Sequence, residues 1–170
     1  MAYIYPAPGN TSAQVQLKIY HTNSTDDATG MVVPALQDVT VNAANDLFTW
    51  TQLNESAKKQ IATTATNSLS MNLVLDQDSF FGDSTAGADT AVKSGIFGMS
   101  VDKTRVQFEL YLGDVVTDDP ADSTVGKTIT GFGYITGLAP TVSADAPVWV
   151  SPITITVDGE YSVSATDPYA

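Results

Sequence analysis

The chain contains no cysteine and a single histidine, His21, among its 170 residues. Without cysteine it can form no disulfide, no thiolate metal site and no thiol nucleophile. One histidine leaves little room for histidine-based acid–base catalysis. No stretch approaches the roughly 18 consecutive apolar residues of a membrane-spanning helix, so we expect no membrane insertion. The first residues lack a basic stretch followed by an apolar one, and we therefore predict no secretory signal.

Positive charge is also scarce. Seven Lys and Arg stand against 19 Asp and Glu, which gives a formal net charge of −12. This balance argues against a basic face for nucleic acid and against docking on an anionic membrane. Lys58 and Lys59 form the only basic doublet, which is too small to follow a phosphate backbone.

Glutamate, which favours helices, is nearly absent, because only 3 of the 19 acidic residues are Glu and 16 are Asp. In contrast, the chain has 22 Thr and 14 Ser. Threonine is typical of strands, and Asp and Ser are typical of turns. A hydrophobic content of 43% is enough for a core. We therefore predict a mainly β protein that folds as one domain over residues 1–170.

Three segments stand apart from the predicted strands. Residues 1–12 are expected to form an N-terminal arm, and residues 164–170 a short C-terminal tail. Residues 42–59 form a long inter-strand loop, even though the apolar residues at 47–53 also suggest a short strand. One helix is expected at about 88–101, because Val92, Ile96 and Met99 fall on one stripe.

The clearest periodic pattern runs from Ile61 to Leu75. Apolar residues alternate with hydroxyl residues and one amide over about fifteen residues, which predicts one very long strand. The polar face of this strand carries no charge. It consists of Thr64, Thr66, Ser68, Ser70 and Asn72.

Searches for catalytic and metal-binding motifs fail. There is no Gly-x-Ser-x-Gly nucleophile motif, and the acidic stretch that begins at Asp76 departs from the EF-hand pattern at its fifth, sixth and twelfth positions. The glycines at 131, 133 and 137 have the wrong spacing for a dinucleotide loop, and no helix follows them. We predict no enzyme activity, no catalytic residues, no metal and no cofactor.

The C-terminal half carries a family resemblance. The stretches Arg105–Asp114, Gly131–Val150 and Ile153–Glu160 form a succession of strands with a Gly-x-Ile-like strand, a short polar link and an alternating Val/Ile strand. This succession resembles that of the major tail tube proteins of long-tailed, siphophage-like bacteriophages. The similarity covers about residues 88–163, and the N-terminal half agrees only in its layout.

The resemblance implies a β-sandwich, or barrel-like packed sheets, with one flanking helix, a fold that also builds the tube of type VI secretion systems. It further implies a structural virion protein, made in the host cytoplasm, whose homo-hexameric rings stack into a hollow tail tube. DNA would pass through this tube as transient, non-specific cargo. Tape measure, tail terminator and distal tail proteins would be its partners, and the family has no catalytic residues.

Under this interpretation, Thr64, Thr66, Ser68, Ser70 and Asn72 are the predicted lumen-lining residues. The arm and the long loop would reach neighbouring subunits, with aromatic and apolar side chains as interface anchors. The predicted interface residues are Tyr3, Tyr5, Phe48, Trp50 and Leu53. The alternatives are a β-sandwich module for binding, adhesion or virion decoration, and a β-sandwich hydrolase acting on carbohydrate.

Overall fold

A computed structural model describes residues 15–21, 30–33, 36–53, 57–82, 90–113 and 126–165. Within these ranges the protein is mainly β, as predicted, with antiparallel strands and two helices. The strands are β1 Val15–His21, β2 Met31–Val32, β3 Leu36–Asn42, β4 Asn45–Thr51, β5 Lys58–Thr64, β6 Ser68–Val74, β7 Arg105–Leu112, β8 Lys127–Leu138, β9 Thr141–Ser143, β10 Ala146–Val157 and β11 Ser162–Ser164. The helices are α1 Gln77–Phe81 and α2 Thr90–Val101.

Nine of the described strands form one antiparallel sheet. Its main path runs β2-β1-β7-β8-β10-β6-β3, while β9 pairs with β10 and β11 pairs with β8. The remaining two strands, β4 and β5, pair only with each other and form a separate hairpin. The path runs from β2 to β3 without closing, so the described strands build an open sheet rather than a closed barrel.

One face of the sheet forms the hydrophobic core. Strand alternation places Val106, Phe108 and Leu110 of β7 on this face, where all three are buried. The register continues the pattern into the neighbouring strands, because buried Ile19 of β1 lies opposite Phe108 and buried Leu69 of β6 lies opposite Ile155 of β10. Burial of these side chains supplies the main driving force for folding.

Both helices cover this same core face. Phe80 of α1 and Ile96 and Met99 of α2 are fully buried and belong to the same cluster as the strand side chains. The helix predicted at 88–101 is confirmed as α2, with non-helical backbone at Gly95 (φ 58°, ψ 173°). A Cβ at Gly95 would lie 2.4 Å from the Gly82 nitrogen, so glycine permits the close crossing of α1 and α2.

Helix α1 is not among the elements predicted from the sequence. It is only five residues long, too short for a hydrophobic period to show. Asp76 caps it, because one carboxylate oxygen accepts hydrogen bonds from the backbone N–H and from the hydroxyl of Ser79. These bonds hold the pKa of Asp76 below its ordinary value of 3.8.

The prediction of one long strand from 61 to 75 is wrong. The chain forms β5, leaves the strand conformation at residues 65–67 and then forms β6 with different partners. Asn67 secures this break, because its carbonyl accepts from Val157 N at 2.9 Å and its Oδ1 accepts from Ala44 N at 3.0 Å. The alternation continues through the break, so the sequence period does not reveal it.

The prediction that residues 42–59 form a loop is also wrong. Most of this segment is β4, which pairs with β5 in register from Asn45 opposite Thr64 to Thr51 opposite Lys58. Leu47, Phe48, Thr49 and Trp50 have the composition of a strand. The loop prediction failed because the sequence places residues 61–64 in one long strand that ends at residue 75. This left residues 45–51 without a predicted partner strand.

Glycine in β8 permits close strand contact and provides a test of the fold. A Cβ at Gly133 would lie 2.3 Å from the Thr156 carbonyl oxygen of β10, and a backbone atom cannot move aside cheaply. We expect Gly133→Ala to lower the free energy of unfolding by about 1–3 kcal/mol. Urea unfolding of the unassembled protein measures this change.

Gly98→Ala is the matched control, because a Cβ there meets only Ser94 Cβ, at an ordinary 3.5 Å. Gly98 lies in α2, where alanine is favoured over glycine by up to about 1 kcal/mol. The packing account predicts a lowered urea midpoint for Gly133→Ala and an unchanged or raised one for Gly98→Ala. Equal midpoints for the two variants would contradict it.

Candidate assembly surfaces

The sheet face opposite the core carries a continuous set of small polar side chains. The register aligns Thr40 of β3, Ser70 of β6 and Thr154 of β10 in one row across the strands. The next row contains Asn42, Ser68 and Thr156. We call this surface the hydroxyl face. Its residues are Thr40, Asn42, Ser68, Ser70, Asn72, Thr136, Thr154 and Thr156.

Side-chain hydrogen bonds connect residues of the hydroxyl face on neighbouring strands. Thr136 Oγ1 of β8 and Thr156 Oγ1 of β10 lie 2.7 Å apart. Asn72 Nδ2 donates to both carboxylate oxygens of Asp38, at 3.1 and 2.9 Å. Asp38 is the only charged residue in the strand segments 36–42, 68–74, 133–138 and 150–157 that carry this face. The surface is therefore mostly polar and almost free of charge, although Pro152 lies beside Asn72 and the larger Tyr134 beside Thr156.

The same side of the sheet becomes charged towards β7 and β1. Tyr20 OH donates to Glu109 Oε2 at 2.7 Å, and Gln107 Nε2 donates to Glu109 Oε1 at 3.1 Å. Arg105 Nε lies 2.9 Å from Asp158 Oδ2, and the guanidinium carbon lies 4.5 Å from the centroid of the Phe132 ring. Charge on this side is thus concentrated in paired groups beside the hydroxyl face, with Tyr134 between Arg105 and Thr156.

The structure brings together only part of the predicted lumen-lining set. Ser68, Ser70 and Asn72 lie on the hydroxyl face, because they alternate in β6 with buried Leu69, Met71 and Leu73. Thr64 ends β5 at the base of the hairpin, and Thr66 lies in the connection between β5 and β6; both are exposed. Sequence reasoning missed the contributions of β3, β8 and β10, which only the register reveals.

The β4–β5 hairpin exposes apolar side chains on both of its sides. Phe48 and Trp50 share one side, with ring centroids 6.0 Å apart, and Ile61 pairs with Phe48 across the strands. Phe48 is 59% exposed and Ile61 56%. Leu47, on the other side, is also exposed. Among the described elements, the main packing partner of each of these strands is the other one.

Three of the five predicted interface residues can be located. Phe48 and Trp50 lie on the hairpin, and Leu53 is fully exposed at its tip. Tyr3 and Tyr5 lie outside the described residues, as does the rest of the predicted arm. We call Leu47, Phe48, Trp50, Leu53 and Ile61 the hairpin surface.

A second exposed apolar surface was not predicted as an interface. Strand β9 and the first residues of β10 form a tip in which Val142, Val148 and Trp149 are 58%, 43% and 47% exposed. We call these three residues the tip surface. The sequence signal is a change of apolar phase between Val150 and Ile153, which by itself predicts a bulge at Ser151-Pro152.

That bulge prediction is wrong, because β10 pairs with β6 in unbroken register from Val150 to Thr156. The phase changes because Ser151, Ile153 and Ile155 face the core, whereas Val148 lies on the exposed tip. Register shifts in β10 occur between Ala146 and Val150, opposite β9, and between Thr154 and Ile155, opposite β8.

No group of three or more His, Cys, Asp or Glu side chains in these ranges is arranged to hold a metal ion. No helix in the described part of the chain has the length and apolarity needed to cross a membrane.

Comparison with solved structures identifies the fold. A chain from the tail of an empty gene transfer agent particle with C6 symmetry matches with a TM-score of 0.55 and 14% identity, over 92% of this chain and 99% of that one. A chain of the SPP1 tail tube matches with a TM-score of 0.57 and 14% identity, over 90% and 77%. A chain of the extended sheath–tube complex of an extracellular contractile injection system, PVC, matches with a TM-score of 0.53 and 12% identity, over 95% and 93%.

No family model and no curated protein sequence matches the chain. The structural matches nonetheless extend over nine-tenths of the chain or more. The chain has the fold of phage tail tubes, in agreement with the resemblance of residues 88–163.

Tyr161 connects the sheet to the base of the hairpin. Its hydroxyl lies 2.9 Å from the Asn42 carbonyl oxygen and 3.1 Å from the Ser68 carbonyl oxygen, at the end of β3 and the start of β6. We expect Tyr161→Phe to lower the free energy of unfolding by about 0.5–1.5 kcal/mol at neutral pH. Chemical unfolding measures this loss, and Tyr134→Phe on the exposed part of β8 is the matched control.

The contribution of Tyr161 should also depend on pH. Burial raises the pKa of Tyr161 above its ordinary value of 10.0. A raised pKa means that the fold favours the protonated phenol, so this contribution is complete below pH 10 and is lost as pH rises through the folded-state pKa. The difference between wild type and Tyr161→Phe should shrink above pH 10, and a difference that grows there would contradict the account.

Proposed function

We propose that this chain is the subunit of a phage-type tail tube. It is a structural virion protein that assembles into hexameric rings, and the rings stack around a channel through which DNA passes. The observation that carries the proposal is the combination of a tail tube fold with a sheet whose one face is core and whose other face is small, polar and almost uncharged. The helices cover the core face and leave the hydroxyl face open.

Ring formation would pair the strand edge that the open sheet leaves exposed. Strand β3 pairs with β6 and, among the described strands, has no partner on its other edge. An exposed strand edge is a template for pairing with another chain. Pairing between the edges of neighbouring copies would close the sheets of a ring into one barrel, which has no free edges. The C6 symmetry of the gene transfer agent tail supports six copies.

The hydroxyl face suits the wall of a DNA channel. Ser68, Ser70 and Asn72 would line it with the matching residues of β3, β8 and β10, and Thr64 and Thr66 would lie near one rim. Small hydroxyl groups offer no cation for phosphate to bind. The excess acidic charge of the chain would repel DNA only within about 8–10 Å at physiological salt. Such a wall neither holds DNA nor blocks it.

The hairpin surface suits an interface between subunits. A two-stranded hairpin is at best marginally stable alone in water. Its exposed apolar and aromatic side chains resemble the core of a protein–protein interface. We propose that Phe48, Trp50 and Leu53 contact another subunit, as would Tyr3 and Tyr5 of the arm. Tape measure, tail terminator and distal tail proteins would be the other partners in the virion.

Electron microscopy of the purified full-length protein tests the proposal. We expect hollow tubes or stacked rings with six subunits per ring, because neighbouring copies would satisfy the strand edge and the hairpin surface that no element in the described part of the chain covers. The control is the same protein below its assembly concentration, which should show single subunits or rings. Dispersed single subunits at high concentration would contradict the proposal and favour a binding or decoration module.

A charge introduced into the channel tests the role of the hydroxyl face. Thr40→Lys adds one positive charge there, and six copies would place a ring of charge in the channel. We expect tubes of this variant to retain short duplex DNA at low salt at least about ten-fold better than wild-type tubes, with retention lost as salt rises. Sedimentation of labelled DNA with the tubes measures it.

Val101→Lys is the matched control, because it adds the same charge at the exposed end of α2, beyond the core face. A charge outside the channel should have little effect on retention inside it. If both variants retained DNA equally, the hydroxyl face would not be the channel wall.

A further inference from the structure

The β4–β5 hairpin is attached to the other described elements mainly through its base. It leaves the sheet after Asn42, the last residue of β3, and returns at Ser68, the first residue of β6. Beyond the base, its two strands pack mainly on each other. Seven residues of strand extend about 23 Å, so a tilt of about 10° at the base would move the far end by about 4 Å. The contacts at the base therefore decide where the apolar side chains of the hairpin lie.

Hydrogen bonds hold both connections between the hairpin and the sheet. The N–H of Ala44, in the first connection, donates to Asn67 Oδ1, in the second, at 3.0 Å. The carbonyl oxygen of Asn67 accepts from Val157 N–H, at the end of β10, at 2.9 Å. Asn67 thus joins the two connections to each other through its side chain and to the main sheet through its backbone.

Tyr161 adds a contact from the C-terminal part of the chain. Its hydroxyl lies 2.9 Å from the Asn42 carbonyl oxygen and 3.1 Å from the Ser68 carbonyl oxygen, and it donates its single hydrogen to this pair. Its ring lies edge-on to the ring of buried Phe108, with the centroids 6.2 Å apart. Tyr161 therefore connects the hydrophobic core with the two strand ends from which the hairpin leaves.

The turn that precedes Tyr161 is itself attached to the sheet. Asp158 N–H donates to the Phe132 carbonyl oxygen at 2.7 Å, and Asp158 Oδ2 accepts from Arg105 Nε at 2.9 Å. Gly159 follows with a φ of 100°, a backbone conformation that favours glycine. These contacts restrict the turn relative to β7 and β8, so that the Tyr161 hydroxyl reaches the hairpin base from a defined position.

We propose that Asn67 and Tyr161 form a latch that sets the direction of the β4–β5 hairpin in the free subunit, before a second copy binds. The hairpin surface is then presented in one orientation, and assembly does not bear the cost of ordering it. The latch itself can be tested on single subunits. Its consequence for assembly rests on the proposed function.

Distances between two spin labels measure the direction of the hairpin. The chain has no cysteine, so nitroxide labels attach only to cysteines that are introduced. Thr51→Cys places one label at the exposed end of β4, and Val101→Cys places the other at the exposed end of α2. Full-length single subunits below the assembly concentration should give a narrow distance distribution. We expect Tyr161→Phe to make it at least about two-fold broader, because the hydrogen bond to the hairpin base is lost.

Two controls separate the latch from a general loss of stability. Ile96→Val shortens a buried side chain of α2 and lowers stability by an amount similar to that expected for Tyr161→Phe, but it leaves the latch intact. Its Thr51/Val101 distribution should therefore remain narrow. A second label pair, Thr136→Cys/Val101→Cys, lies outside the hairpin and should give the same distribution with and without Tyr161→Phe.

Substitutions of Asn67 test the other half of the latch. Asn67→Ala removes the side-chain oxygen that accepts from Ala44 N–H, and it should broaden the Thr51/Val101 distribution. Asn67→Asp keeps an accepting oxygen at this position and should give a narrow distribution again. If Tyr161→Phe does not fold, this pair of variants decides the question.

The same variants show whether the latch serves assembly. Tyr161→Phe and Asn67→Ala should raise the protein concentration needed for tube formation about two- to ten-fold, because an unfastened hairpin must be ordered on binding. Ile96→Val and Asn67→Asp should leave this concentration near the wild-type value.

The outcomes separate this inference from the proposed function. A distribution that is broad without any latch substitution, that stays narrow after both Tyr161→Phe and Asn67→Ala, or that broadens equally with Ile96→Val overturns the latch and leaves the tube function intact. Selective broadening with unchanged assembly overturns the role of the latch in assembly. Selective broadening in a protein that forms neither tubes nor rings at high concentration supports the latch and contradicts the proposed function.

Discussion

One-sided burial of the main sheet is the constraint on which the rest of the structure depends. Strand alternation sends Leu69, Met71 and Ile155 to one face, where α1 and α2 cover them. The other face then cannot be part of the same core. The exposed sheet face of a globular domain commonly carries charged side chains, but this face carries mainly small hydroxyl and amide groups. In the proposed function, this nearly uncharged face is the channel wall.

The same constraint explains why the protein has unsatisfied apolar surfaces at both ends. Beyond the two ends of β6 the described strands continue only as the two-stranded β4–β5 hairpin and the β9–β10 tip. Phe48 at one end and Trp149 at the other are therefore exposed in a single copy. Exposed apolar and aromatic patches of this kind mark candidate interaction surfaces. In the proposed tube, neighbouring copies would supply such a partner.

Several features could be predicted from the sequence because local chemistry determines them. The β class followed from the abundance of Thr and the shortage of Glu, and α2 followed from the stripe containing Ile96 and Met99. The break at residues 65–67 could not be predicted, because Ala65 and Thr66 preserve the alternation on either side of it. The hydroxyl face was predicted only in β6, since its continuation to Thr40 and Thr154 depends on strand register, which is a long-range property.

A reconstruction of assembled tubes by electron cryomicroscopy tests the central claim most directly. The account predicts a closed barrel in which Ser70 and Thr154 face the channel axis, while α2 lies on the outer side of the barrel. A tube in which α2 lines the channel, or in which the hydroxyl face points outward, would contradict it.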